Sequence, residues 1–276
     1  MTLEELENLV RGSGSDSLEI HNKVVRDIGS AAVVLFAIHS IPSGKRLELA
    51  GSGTLVSSGD AYWILTAAHV WDRKIKAASE LGITLRKETD HCFPIDTNAI
   101  EPCHFKQQTE GEEWGPDLIL LRIPSALVGT IEANKASYHW ELERPSALNI
   151  DRLETFYLLG CPADLGTFSS VYAKVAINGF PVNVVAEHRR AQLDYLDVDA
   201  FVHDSLNMKS FGGVSGGGLW RVWFFVDPKS REPSWAWRLE GVAFYQFPIV
   251  DNFAIIRCHG PQSIGQVVFN CQPSLP

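Results

Sequence analysis

Residues 209–220 read KSFGGVSGGGLW, with five glycines crowding one serine, Ser215. A serine hydroxyl is a poor nucleophile by itself. It needs a neutral imidazole to take its proton, a carboxylate to orient that imidazole, and N–H donors for the oxyanion that forms. Gly213 and Gly216 permit the tight backbone that aims N–H groups at such an oxyanion. Two upstream stretches supply the other parts. YWILTAAHV, residues 62–70, is an apolar strand that ends in His69, and WGPDLILLRIP, residues 114–124, sets Asp117 at the mouth of a second apolar strand. Each residue alone has a plain structural explanation: a turn serine, a solvated histidine, a strand-capping aspartate. Together they make a nucleophile, a base and an orienting group. His203 is nearer to Ser215 in sequence and Asp72 nearer to His69, but neither stands in a comparable motif.

The bulk of the chain suits such a site. It has 276 residues, 45% hydrophobic and 21% charged, enough for a large buried core and unlike a disordered chain. A formal net charge of −9 argues against non-specific nucleic-acid binding. The opening MTLEELENLV lacks the basic and apolar regions of a signal peptide, and no apolar run approaches a membrane span. The expectation is a cytoplasmic protein without nucleic-acid or membrane partners. Five cysteines, at 92, 103, 161, 258 and 271, are odd in number and scattered, and read as mostly buried free thiols.

Residues 2–11 form an amphipathic acidic pattern ended by GSGS. From Ala31 onward short β-branched and aromatic runs take over, among them AAVVLFAI, LAGSGTLVSS, AYWILTAA, TFYLLGCP, SSVYAKVAI, QLDYLDVDAFV, GGLWRVWFFVD, WAWRLEGVAFY and FAIIRC. Gly, Pro, Ser and Asp punctuate them, which predicts an all-β sandwich or barrel. Residues 131–150 are less strand-like and read as a linker. PQSIGQVVF near the end reads as a short closing helix.

GSGTLVSS with YWILTAAHV, then DLILL, then GGVSGG, then LEGVAFY resembles the trypsin-like, chymotrypsin-fold serine peptidases, in that family's order of His, Asp and Ser. The resemblance spans about residues 31–268. It implies two antiparallel six-stranded β-barrels with the site in the cleft between them, flanked by short N- and C-terminal helices. The implied division is a helical extension over 1–28, a first barrel over 29–130, the linker over 131–150 and a second barrel with its closing helix over 151–276. It further implies an endopeptidase acting on a protein or peptide substrate without metal or organic cofactor. His69 is then base and acid, Asp117 the orienting group, Ser215 the nucleophile, and the N–H groups of Gly213 and Ser215 the oxyanion hole.

The chain also departs from that family. Val70 and Phe211 stand where secreted members commonly carry cysteines, so this is expected to be an intracellular type without disulfides. Val214 replaces the acidic residue that, in many members, pairs with an N-terminus freed by proteolysis. No activation of that kind is then required, and restraint must come from narrow specificity, a disordered oxyanion loop or a regulatory protein partner. Lys209, six residues before the serine, falls where the family often has the base of its S1 pocket, which would favour an acidic P1 side chain; its alternative place is in solvent. Phe244, Tyr245 and Gln246 occupy the opposite wall. Gln246 narrows the pocket, and Phe244 replaces a hydroxyl that often supports the catalytic aspartate. The competing class is a pseudoprotease or peptide-binding module of the same fold, and an esterase is a third reading.

His91–Cys92 and Cys103–His104 carry zinc-ligand residue types, but adjacent strand residues face opposite sides and do not converge easily on one ion. Trp220, Trp223, Trp235 and Trp237 read as filling or covering the second barrel.

Overall fold

A computed structural model of the chain describes residues 1–85, 92–105, 116–140, 151–168, 173–202 and 208–271. His91, His203, the 141–150 part of the expected linker and the first residues of SSVYAKVAI lie outside the described residues.

Two N-terminal helices come first, α1 (Leu3–Arg11) and α2 (Ser15–Ile28). A capping box starts α1: Glu5 N–H donates to Thr2 Oγ1 and Thr2 N–H to Glu5 Oε2. Its buried face is Leu6 and Val10; that of α2 is Ser17, Ile20, Val24 and Ile28, a three-to-four-residue spacing that puts one stripe against the core.

The first β unit contains β1 (Ala32–Ile41), β2 (Gly44–Ser58), β3 (Ala61–Thr66), β4 (Glu80–Ile83), β5 (Phe93–Asp96), β6 (Glu101–His104), β7 (Ile119–Arg122) and β8 (Tyr138–His139). A helical turn α3 (Ala68–Val70) follows β3, and α4 (Ser125–Glu132) follows β7. The strands run in the order β5-β4-β1-β2-β3-β7-β6, with β8 paired in parallel to β2. The second unit contains β9 (Arg152–Gly160), a small hairpin of β10 (Thr167–Phe168) and β11 (Ala173–Lys174), then β12 (Asn178–Arg190), β13 (Leu193–Phe201), β14 (Gly218–Val226), β15 (Pro233–Gln246) and β16 (Phe253–His259); α5 (Pro261–Cys271) follows. Here the sheet closes into a six-stranded barrel, β12-β13-β16-β15-β14-β9.

The expectation of two closed barrels is therefore corrected: one barrel closes and the other unit is a curled, open sheet. Among the described residues its two free edges are β5 and β6, which a 3-10 turn at Thr97–Ala99 connects. Each edge strand carries a proline, Pro94 and Pro102. Proline has no N–H to donate to a ladder, so these edges are poor partners for one another.

One apolar cluster runs from α1 and α2 through the open sheet to the outer face of β9, β14 and β15, including Trp220, Val222 and Phe224, and on to α5. A second fills the closed barrel with Leu158, Phe180, Val198, Phe211, Val214 and Ala243. The two β units thus share one core on the outside of the barrel, which holds them in fixed register at the cleft.

The expectation of a type without disulfides is also corrected. Cys103 of β6 and Cys271 of α5 form a disulfide across a sequence separation of 168, with Cα atoms 6.0 Å apart. Cys92, Cys161 and Cys258 are free. Docking α5 against the first unit brings the pair together, and no local spacing announces it. A cytoplasmic placement loses the support that an absence of disulfides gave it. Among the described residues no helix is long and apolar enough to cross a membrane.

Candidate active site

The placement of His69 and Asp117 follows from strand register. Thr66, the last residue of β3, pairs with Ile119, the first of β7. His69 lies three residues beyond the end of β3, and Asp117 two residues before the start of β7, so both emerge at the same end of the open sheet. There Asp117 accepts two hydrogen bonds from one residue: Oδ1 from His69 N–H at 2.8 Å and Oδ2 from His69 Nδ1 at 2.6 Å. A carboxylate only accepts, so Nδ1 carries a proton, and in the neutral ring Nε2 is the nitrogen with the lone pair. Burial works to raise the Asp117 pKa; the hydrogen bonds and charge of His69 outweigh it and hold the carboxyl below its ordinary value.

The serine comes from the other unit, just before β14. Ser52 of β2 joins the two. Its N–H donates to Ser215 O at 2.8 Å, and its hydroxyl donates to Gly213 O at 2.8 Å and accepts from Cys161 N–H at 3.0 Å. Thr66 Oγ1 donates to Ser52 O at 2.7 Å, tying this bridge to the strand that carries His69. Ser215 O and Val70 Cγ2 flank the same point above Gly51, at 2.8 and 2.9 Å, so the nucleophile loop sits against the residue next to His69. The Ser215 hydroxyl is not hydrogen-bonded to His69 Nε2; in ligand-free sites such bonds are often long and tighten around substrate.

The backbone of 209–217 is almost fully committed. Lys209 and Ser210 N–H donate to Asp164 Oδ2, Phe211 N–H to Gln246 Oε1, and Gly212 N–H to Ser210 Oγ. Val214 N–H goes to Phe211 O, Gly216 N–H to Ala243 O, and Gly217 N–H to Val214 O. Only Gly213 and Ser215 keep N–H groups without a partner among the described residues. Their direction is fixed as well. Gly212 C=O is held by Ala163 N–H and Val214 C=O by Gly217 N–H, both at 2.7 Å. In a trans peptide the N–H points opposite to the C=O, so both free donors are turned away from those anchors. Gly213 and Gly216 have φ of +95° and +86°. A Cβ on Gly213 would lie 2.5 Å from Cys161 O, so only glycine fits this turn.

Val214 is 1% exposed and packs inside the closed barrel, where its Cγ1 stands 2.8 Å from the position of a Cβ on Gly160. Burial, rather than an ion pair, anchors the loop beside the serine.

The four residues expected to shape an S1 pocket have different surroundings. The Lys209 side chain is exposed. Phe244 is buried and stacks on His259 with centroids 4.3 Å apart. Tyr245 is partly exposed and meets Phe247 edge-on at 5.0 Å. Gln246 alone reaches the nucleophile loop, through Phe211 N–H, and the Phe211 ring meets Phe180 edge-on at 5.1 Å inside the barrel. Asp72, the rival carboxylate, sits 3.7 Å from His104 instead. With Cys103 in a disulfide, the Cys103–His104 pair offers no thiolate to a metal.

Sequence reading missed Ser52 and Asp164, which hold the loop. Ser52 lies within GSGTLVSS, but nothing in its spacing reveals which way its hydroxyl turns.

No family model matches the chain, and no curated protein matches it in sequence. Among solved structures, one from a study of aromatic interactions in the coupled folding and binding of the intrinsically disordered Sesbania mosaic virus VPg protein aligns over 84% of this chain and 92% of its own. The identity is 15% and the TM-score 0.39, too low to carry an argument about either fold or function.

Proposed function

We propose that this protein is a serine endopeptidase of chymotrypsin-like architecture, cleaving a protein or peptide substrate by acyl transfer. The observation that carries the proposal is the commitment of the loop's N–H groups: all but those of Gly213 and Ser215 are bound, and those two are the pair an oxyanion would need. The His69–Asp117 pair supports it independently.

In the proposed reaction Ser215 Oγ attacks the scissile carbonyl carbon while its proton passes to His69 Nε2. The carbonyl electrons move onto oxygen, which accepts hydrogen bonds from Gly213 and Ser215 N–H. Collapse expels the amine, protonated by His69, and leaves an ester on Ser215. Water, deprotonated by His69, then attacks that ester and releases the acid and the free hydroxyl. Asp117 stabilises the imidazolium in both halves. Residues of this chain supply every proton transfer.

Buried Val214 supports a loop formed without N-terminal cleavage. Gln246 on Phe211 N–H, with Phe180 and Phe211 filling the barrel behind it, favours a substrate with a small P1 side chain over the acidic P1 that a pocket-facing Lys209 would select. The same crowding supports a second reading, a module that binds peptides without cutting them. A peptide-library digest read by mass spectrometry separates the two. Cleavage by wild type that vanishes in Ser215→Ala supports the peptidase. Peptides retained but uncut by both proteins would sink it.

A further inference from the structure

Away from the triad, a cavity of about 370 Å³ opens between α2, β1, the end of α4 and the segment 175–177. Its walls include Val34, Val175 and Ile177, and it is lined by one half-buried cation, Lys135. Lys135 Nζ donates to Ala32 O at 2.7 Å and to Gly29 O at 3.3 Å. These neutral carbonyls, one just past α2 and one at the start of β1, use two of the three ammonium donors. No carboxylate pairs with Lys135 among the described residues, and burial alone lowers its pKa to about 8. Tying the end of α2 to the start of β1 accounts for two hydrogen bonds; it accounts neither for the third donor nor for the space beside it.

Two further groups face the same need. Thr84 is 6% exposed, lines the cavity, and its oxygen accepts from Val34 N–H at 3.0 Å; its own hydroxyl proton has no acceptor among the described residues. Arg26, an exposed lining residue, makes no ion pair among the described residues. A cation, a hydroxyl donor and a guanidinium around an apolar chamber select an amphipathic anion. Taking the ~30 Å³ that a water occupies as the share of one heavy atom, the chamber holds on the order of a dozen non-hydrogen atoms.

We infer that this cavity binds a small aliphatic carboxylate, its head on Lys135 and Thr84 and its chain along Val34, Val175 and Ile177. An inorganic anion leaves the apolar walls unfilled, and a neutral alcohol leaves the lysine uncompensated. The inference is independent of the proposed reaction.

Decanoate is the probe, titrated calorimetrically into the full chain, with 1-decanol and butyrate as comparison ligands. Decanoate is expected to bind with one-to-one stoichiometry, at least tenfold more tightly than either, a difference of about 1.4 kcal/mol. Lys135→Met should weaken decanoate at least tenfold and leave decanol unchanged. Val175→Trp, which fills the chamber and keeps the lysine, should abolish saturable binding. Protein blocked at Ser215 by a fluorophosphonate should bind decanoate as before. Should Lys135→Met fail to fold, the ligand series on wild type and the Val175→Trp titration decide. Absence of saturable binding, decanol as tight as decanoate, or decanoate affinity unmoved by Lys135→Met or Val175→Trp would each overturn the inference.

Discussion

Replacing Ser52 by alanine tests whether the loop is positioned as described. The hydroxyl is 1% exposed, with one bond out to Gly213 O and one in from Cys161 N–H. Alanine leaves both backbone groups buried without a partner. Each orphaned group costs about 1–3 kcal/mol, so a total loss of about 2–6 kcal/mol is expected. In a chain of this length 1 kcal/mol moves Tm by about 2 °C, which gives a fall of roughly 4–12 °C. The catalytic effect is separate. Gly213 loses the bond that fixes its carbonyl, the free N–H groups on either side of that peptide gain play, and oxyanion stabilisation weakens. Loss of a whole oxyanion donor costs about 10²–10³ in rate, so loosening one is expected to cost about tenfold. Circular dichroism melts give the first number and the rate of Ser215 acylation by a fluorophosphonate gives the second. Thr54→Val is the control. Thr54 Oγ1 is buried and already without a partner among the described residues, so its removal should be neutral or stabilising. Ser52→Ala with an unchanged Tm and an acylation rate within about twofold of wild type would show that the Ser52 bridge does not hold the loop.

Other perturbations address the anchors around the site. Val214→Asp places a carboxylate inside the closed barrel and should cost at least about 3 kcal/mol, seen as a lowered urea midpoint; a soluble variant of wild-type stability would contradict the burial anchor. His259 is fully buried, and burial lowers its pKa from 6.5 to about 4. Between those values the unfolded chain takes up a proton that the native protein refuses, so stability present above pH 6.5 is lost as pH falls toward 4, by about 3 kcal/mol. His259→Phe keeps the stack on Phe244 and should flatten that part of the pH–stability curve. Alkylation of the denatured, unreduced chain should label three cysteines, matching the free thiols Cys92, Cys161 and Cys258. After reduction all five should label, and Cys103→Ser should cost about 2–5 kcal/mol.

The legibility of this protein in its sequence is uneven for physical reasons. The segments that carry His69, Asp117 and Ser215 are legible because each lies within three residues of an apolar strand, where period-two patterning and glycine content are local signals; the chemistry assigned to them is the proposal made above. Strand β12 was not, because Asn178–Arg190 contains Pro181 and is exposed along much of its length, so its alternation is broken and polar. Open and closed sheets look alike in sequence: closure depends on whether two edge strands meet, and Pro94 and Pro102 only weaken those edges. The Cys103–Cys271 bond and the three-way role of Ser52 depend on segments far apart in the chain, and no spacing rule reaches them. Val214 was legible as a missing charge, and its burial in the barrel supplies the positive half of that observation.

The most direct measurement is intact-mass analysis of the purified, unprocessed chain after exposure to a fluorophosphonate, followed by peptide mapping. A single adduct on Ser215, absent in Ser215→Ala and strongly slowed in His69→Ala, is the expected result. Folded wild-type protein that takes up no adduct, or takes it up elsewhere, would mean that these residues do not form a working nucleophile.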